Sequence, residues 1–165
     1  MPRALALLGL IPLVVTMPAA TASAQHSLTA ADLQGAWTLV SLTYDGAPQK
    51  ATGYMIFQGD HFSFVTSRER PRIPAGAGDK PVAALTAEES TAYVEAFRNM
   101  TAAAGPFSVK GEEVLYVMEV VRTPNLTGAT EERKSTLANG RLVQDFMGGG
   151  RRQVYTWERV PKGAR

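Results

Sequence analysis

Gly35-Ala36-Trp37-Thr38-Leu39-Val40-Ser41-Leu42-Thr43-Tyr44-Asp45-Gly46 reads as one β-strand followed by its stop signal. Trp37 to Tyr44 is rich in Leu, Val, Thr and aromatic residues, which suit a pleated, half-buried surface, and Asp45-Gly46 is a turn pair. The pattern recurs downstream. Thr52 to Phe57 and His61 to Thr66 are joined across Gln58-Gly59-Asp60 as a hairpin. In the second run Phe62, Phe64 and Thr66 share one face, and His61, Ser63 and Val65 share the other. Phe107 to Lys110 hands over at Gly111-Glu112 to a long run from Val114 to Arg122, which Pro124-Asn125 and Gly128 end. Thr130 to Leu137 and Leu142 to Met147 flank Asn139-Gly140, where both residues tolerate positive φ, the strongest short hairpin signal in the chain. Gly148-Gly149-Gly150 reads as a flexible connection to a last run, Gln153 to Val160.

One segment has a different period. Arg68 to Pro81 is Pro- and Gly-rich loop, after which Thr86, with Glu89 three residues on, forms a capping box that opens a helix. Tyr93, Phe97 and Met100 follow at helical spacing, a stripe expected to pack against the rest of the domain, and Gly105-Pro106 is expected to end the segment. The chain therefore reads as mainly β: about eight antiparallel strands with one helix inserted after the third. Hairpin-length connections favour an up-and-down meander over a sandwich, and closing the meander into a barrel removes the exposed edges of a lone sheet. An eight-stranded barrel is wide enough either to be filled by side chains or to hold one small ligand.

Outside this region, Met1-Pro2-Arg3 and the apolar stretch from Ala4 to Val15 have the form of a secretory signal, with Ala22-Ser23-Ala24 fitting a signal peptidase site before Gln25. The apolar run, broken by Pro12 and Pro18, is too short to span a bilayer. The expectation is a signal over 1–24, one domain over 25–165, and a periplasmic or secreted product of bacterial type. Losing Arg3 with the signal leaves 16 basic against 15 acidic side chains, a balance that offers no field for nucleic acid or an anionic membrane. The absence of cysteine excludes disulfides and thiolate metal sites, so the fold rests on its core.

Gly35-Ala36-Trp37 at the start of the first strand and Trp157-Glu158-Arg159 on the last resemble the signature of lipocalin-like proteins. Gly105-Pro106-Phe107-Ser108-Val109 and the Pro124/Gly128/Arg133 spacing extend the similarity to the lipocalin-like domain group of bacteria over roughly Asp32 to Val160. The resemblance implies a calycin-type barrel with an internal cavity, closed at its base by Arg159 lying over the Trp37 ring beside Gly35. It differs from many animal lipocalins in lacking their cysteine pair and in carrying the inserted helix.

Candidate chemistry is sparse. The two histidines, His26 and His61, cannot make a multi-histidine metal site, and His61 lies opposite the Phe62/Phe64 face. Glu112-Glu113 and Glu131-Glu132 read as solvated charges, whereas Glu119 interrupts an apolar run and reads either as an outward residue or as an inward carboxylate with Arg133 as its partner on the next strand. Gly148 to Gly150 with Arg151-Arg152 reads as a hairpin loop, since no helix begins there to cradle a phosphate. The candidate ligand-binding residues are Tyr54, Phe57, Phe62, Phe64, Tyr116, Met118, Arg133 and Tyr155, with Arg133 or Arg122 offering a cation to an acidic head group. No cofactor or metal is expected. The same aromatic residues equally suit a barrel filled solid. Three readings follow: a binder of a small apolar or amphipathic molecule; an enzyme such as a cyclase, isomerase or hydrolase using Tyr116, Glu119 or Arg133; or a filled barrel acting through a protein partner.

Overall fold

The structure, a computed structural model, describes residues 27–161 and residue 163. The expected signal segment and His26 lie outside the described residues. A one-turn helix α1 (Ala30–Leu33) leads into β1 (Gly35–Tyr44), a short β2 (Ala47–Gln49), β3 (Ala51–Gln58) and β4 (His61–Arg68). Helix α2 (Ala87–Arg98) follows, then β5 (Met100–Lys110), β6 (Glu113–Val117), a two-residue β7 (Val120–Val121), β8 (Thr130–Ala138), β9 (Arg141–Gly148) and β10 (Arg151–Arg159). Each of β1, β3, β4, β5, β6, β8, β9 and β10 pairs antiparallel with the next, and β10 returns to pair with β1, with Trp37 opposite Arg159. The expected eight-stranded up-and-down barrel, with a helix after its third strand, is the observed architecture; β2 and β7 are small additions at its rim.

Local chemistry accounts for the connections. Asp45-Gly46, Asn139-Gly140 and Gly149-Gly150 all adopt positive φ, the conformation that lets a two-residue turn match the twist of its flanking strands. The glycine run is thus a tight turn, with Gly148 paired to Arg151, rather than a flexible loop. The helix begins as expected: the Glu89 amide donates to Thr86 Oγ1 at 3.2 Å and the Thr86 amide to Glu89 Oε2 at 2.8 Å. Its end differs. Asn99 caps it and Met100 already belongs to β5, so Gly105 and Pro106 lie inside a strand. Gly105 is needed there because a bulge between β6 and β7 brings the Val117 carbonyl oxygen to 2.0 Å from where a Cβ would stand. Phe97 is half exposed and the helix buries Ala96 and Glu89, so the aromatic stripe does not form the packing face.

The base of the barrel is sealed by α1. A helix end leaves orphan carbonyls, and here three successive ones are satisfied from the barrel. Arg159 Nη2 donates to the Asp32 carbonyl, Trp37 Nε1 to that of Leu33 at 2.8 Å, and Arg159 Nη1 to that of Gln34. The Arg159 guanidinium lies 4.2 Å from the centre of the Trp37 ring, and Gly35, at φ 110°, leaves room for it. Above this seal Leu33, Trp37, Met55, Phe57, Phe62, Phe107, Val114, Leu142 and Trp157 are packed together and almost wholly buried.

Replacing Arg159 by Ala removes two charge-assisted hydrogen bonds and the ring contact. We expect a loss of about 2 kcal/mol in urea unfolding, with Arg159→Lys recovering only part, since an ammonium lacks the fork that reaches both carbonyls. An unchanged unfolding midpoint for Arg159→Ala would contradict this closure.

Candidate functional site

Strand alternation sends every second residue of β8 inward. Arg133 and Ser135 are therefore buried while Glu132 and Lys134 face water. Arg133 is only 2% exposed, and a charge so placed is costly unless paired and hydrogen-bonded. Its Nε donates to Glu131 Oε1 at 2.6 Å and its Nη1 to Gln144 Oε1 at 3.2 Å. Four rings surround the guanidinium, with centres at 4.3 Å (Phe146), 4.8 Å (Phe64), 4.8 Å (Tyr116) and 5.7 Å (Tyr155). Gln144, fully buried on β9, also accepts from Trp157 Nε1 at 3.0 Å and donates through Nε2 to the Tyr116 hydroxyl. One network thus ties β6, β8, β9 and β10 together across the barrel interior.

The network divides the interior. On the base side the barrel is solid, with Phe57 edge-on to Phe107 at 4.9 Å and Phe62 edge-on to Tyr116 at 4.7 Å. On the other side a cavity of about 310 Å³ opens toward the rim, at the low end of the range for ligand sites. Phe64, Ala103, Met118, Phe146 and Tyr155 supply its apolar wall, and Arg133 and Glu131 lie at its floor. The tip of α2 stands beside the opening because Asn99 ties it to β4. The Arg68 amide donates to the Asn99 carbonyl at 2.9 Å, Arg68 Nη2 to Asn99 Oδ1 at 2.8 Å, and Asn99 Nδ2 to the Glu69 carbonyl at 2.8 Å.

The sequence-predicted binding residues fall into three groups. Phe64, Met118, Arg133 and Tyr155 line the cavity. Phe57, Phe62 and Tyr116 lie in the solid half, where they pack against one another and do not reach the opening. Tyr54 is a correction: β3 alternates with Met55 inward, so Tyr54 stands outside the barrel, 61% exposed. Of its two readings Glu119 takes the outward one, exposed at the bulge between β6 and β7; the partner of Arg133 is Glu131, two residues along its own strand. Glu131 is thus not the solvated charge its sequence suggests. Tyr44, Phe146 and Gln153 line the cavity without having been singled out. For Phe146 the strand period alone gives the placement: it shares the inward face of β9 with Leu142 and Gln144, while Arg141, Val143, Asp145 and Met147 take the other face. His61 faces outward, its ring 2.6 Å from Asp60.

Comparison with known proteins came to one family and a set of solved structures. A family described as the lipocalin-like domain matches residues 34–160. No curated protein matches. Among the solved structures, two mutants of the fluorescent protein UnaG are similar to this chain. One is 13% identical, with a TM-score of 0.37, over 80% of this chain and 99% of its own. The other is 14% identical, with a TM-score of 0.36, over 78% and 96%.

Burial pushes the Tyr116 and Tyr155 hydroxyls above the ordinary tyrosine range, with the Arg133 charge opposing the shift in both. A phenol that ionises later folded than unfolded stabilises the fold below the unfolded pKa of about 10, and that contribution is lost as pH rises beyond it. We expect the phenolate absorbance of the folded protein at alkaline pH to be unchanged by Tyr116→Phe, and its urea midpoint to fall as pH climbs above about 10. Loss of one phenolate's absorbance on Tyr116→Phe, with the fold intact, would show that the hydroxyl reaches solvent.

Proposed function

We propose, because the chain belongs to the lipocalin-like domain family, that its barrel is a container for one small amphipathic molecule held in the half that opens at the rim. The observation that carries this reading is the division of the interior at Arg133. The base half is packed solid, yet the rim half keeps an apolar-walled space of about 310 Å³ with a polar floor. A barrel selected only for stability gains by filling such space, since each unfilled methyl-sized gap costs roughly 1 kcal/mol. The ligand's apolar body packs against Phe64, Met118, Phe146 and Tyr155, and Gln153, Glu131 and Arg133 orient its polar groups.

The enzyme reading calls for two convergent ionisable groups free to act on a common point. Arg133 and Glu131 converge, but on each other, at 2.6 Å, with Gln144 and four rings holding the arginine in place. A pair so committed supports the role of a fixed polar floor.

We place the mature domain, 25–165, in the periplasm or outside the cell. The apolar lead and Ala22-Ser23-Ala24 support export. Expressed in full in a bacterial host, the protein is expected in the periplasmic or culture fraction with Gln25 at its amino terminus; an uncleaved cytoplasmic form contradicts the assignment.

The binding reading is tested with N-phenyl-1-naphthylamine, an uncharged aromatic probe whose fluorescence rises in apolar surroundings. It is expected to bind one per chain with a micromolar Kd. Ala103→Leu, which fills the cavity from β5, should weaken binding about tenfold, a difference of about 1.4 kcal/mol, without loss of the fold. Absence of binding to the parent protein, or equal binding to the filled variant, contradicts the container.

A further inference from the structure

Four arginines from distant parts of the chain meet where the cavity opens: Arg68 at the end of β4, Arg98 at the end of α2, Arg122 just after β7, and Arg151 at the start of β10. All four line both the cavity and the polar basin that adjoins it, whose other walls are Glu95 and Asn99. Like charges so gathered repel one another, and a fold ordinarily relieves this with carboxylates. Here none of the four forms a salt bridge among the described residues; Glu95 is the one carboxylate in the basin, and Glu131, in the cavity, is bound to Arg133. Their contacts are neutral. Arg68 and Arg151 lie over the Tyr44 ring at 5.4 Å and 4.6 Å, and Arg68 donates to Asn99. Arg122 lies over Phe97 at 5.1 Å and donates through Nη1 to the Phe97 carbonyl and through Nη2 to Thr123 Oγ1.

A second observation is independent of the charge count. The Arg122 Nε–H is buried and has no hydrogen-bond partner, the one side-chain polar atom in that state among the described residues. A buried donor without an acceptor is costly, and native structures rarely leave one unless something else supplies the acceptor. An oxyanion does so while also neutralising the guanidinium cluster, and arginine's planar fork is the side chain best shaped for carboxylate or phosphate oxygens.

We infer that the rim arginines form an oxyanion subsite, so that the ligand, its apolar body inside the cavity, keeps a carboxylate, sulfonate or phosphate group at the mouth against Arg68, Arg98, Arg122 and Arg151. This deepens the container reading and rests on it. The head group belongs at the rim because Arg133, the interior cation, already has its carboxylate, whereas the rim cations have none. Tyr44, stacked under two of the arginines, stands between the apolar wall and the charged mouth, as an amphipathic ligand requires.

The test compares two probes with one skeleton: the uncharged N-phenyl-1-naphthylamine and its sulfonate, 8-anilino-1-naphthalenesulfonate. The sulfonate is expected to bind the parent protein at least tenfold more tightly, and rising salt should erode that advantage. Arg98→Gln, on the exposed end of the helix, and Arg151→Gln should each bring the ratio of the two affinities severalfold closer to one; Arg122→Lys, which removes the orphan Nε–H but keeps the charge, should lower it as well. Dodecanoate or dodecyl phosphate should displace the uncharged probe at lower concentration than dodecan-1-ol. If the uncharged probe binds but the sulfonate binds no better, or the arginine variants leave the ratio unchanged, the oxyanion subsite is overturned and the container stands. If neither probe binds, both fall.

Discussion

A cation with almost no access to water sits in the middle of this barrel, and its need for compensation orders what surrounds it. Arg133 reaches the interior because β8 places it on the inward face. Once there it requires an acceptor for its charge, acceptors for its N–H groups and a polarisable wall. Glu131, Gln144 and four aromatic rings provide them, and each provider is drawn into place in turn. The same Gln144 Oε1 also accepts from Trp157, and Gln144 Nε2 donates to Tyr116, so loss of Gln144 would orphan the Trp157 N–H and loss of the Tyr116 hydroxyl would orphan the Gln144 amide. Networks of this type specify one arrangement of a core more sharply than apolar packing does, because a partly satisfied alternative is heavily penalised.

The two ends of the barrel are built on different plans. At the base, connections are short and helix α1 lies across the opening with its carbonyls held by Trp37 and Arg159. At the rim every connection between barrel strands but the Gly149-Gly150 turn is longer, α2 stands to one side, and arginines stand where the base has hydrogen-bonded backbone. The fold spends its packing on the closed end and keeps its charge and its space at the other. That asymmetry, with a polar floor between the halves, is what the proposed binding reading rests on.

Much of the architecture was legible because it is written in short-range signals. Asn139-Gly140 and Asp45-Gly46 announce their turns by residue type alone, Thr86 and Glu89 announce the helix start, and the Trp37/Arg159 closure was available from the resemblance. What misled was strand parity and distance. A bulge between Leu39 and Ser41 flips β1 midway, so Trp37 and Leu39 point inward and so do Leu42 and Tyr44, which simple alternation does not allow. Tyr54 looked like a lining residue by composition, but Met55 holds the inward position. Gly105-Pro106 has the composition of a helix stop, yet its use is the close approach of the β6–β7 bulge. Glu131 carried no sign of its inward role, because a pair of adjacent glutamates on a strand necessarily puts one on each face and composition does not say which. The rim arginines are separated by up to 83 positions in the chain, from Arg68 to Arg151, and only barrel closure brings them together.

The most direct measurement is a crystal structure of the protein grown with N-phenyl-1-naphthylamine. The account predicts ring density between Phe64, Met118, Phe146 and Tyr155 on the rim side, with Arg133 still bound to Glu131 and Gln144. Density for the probe on the base side of Arg133, or a rim half collapsed shut around its own side chains with the probe outside, contradicts it.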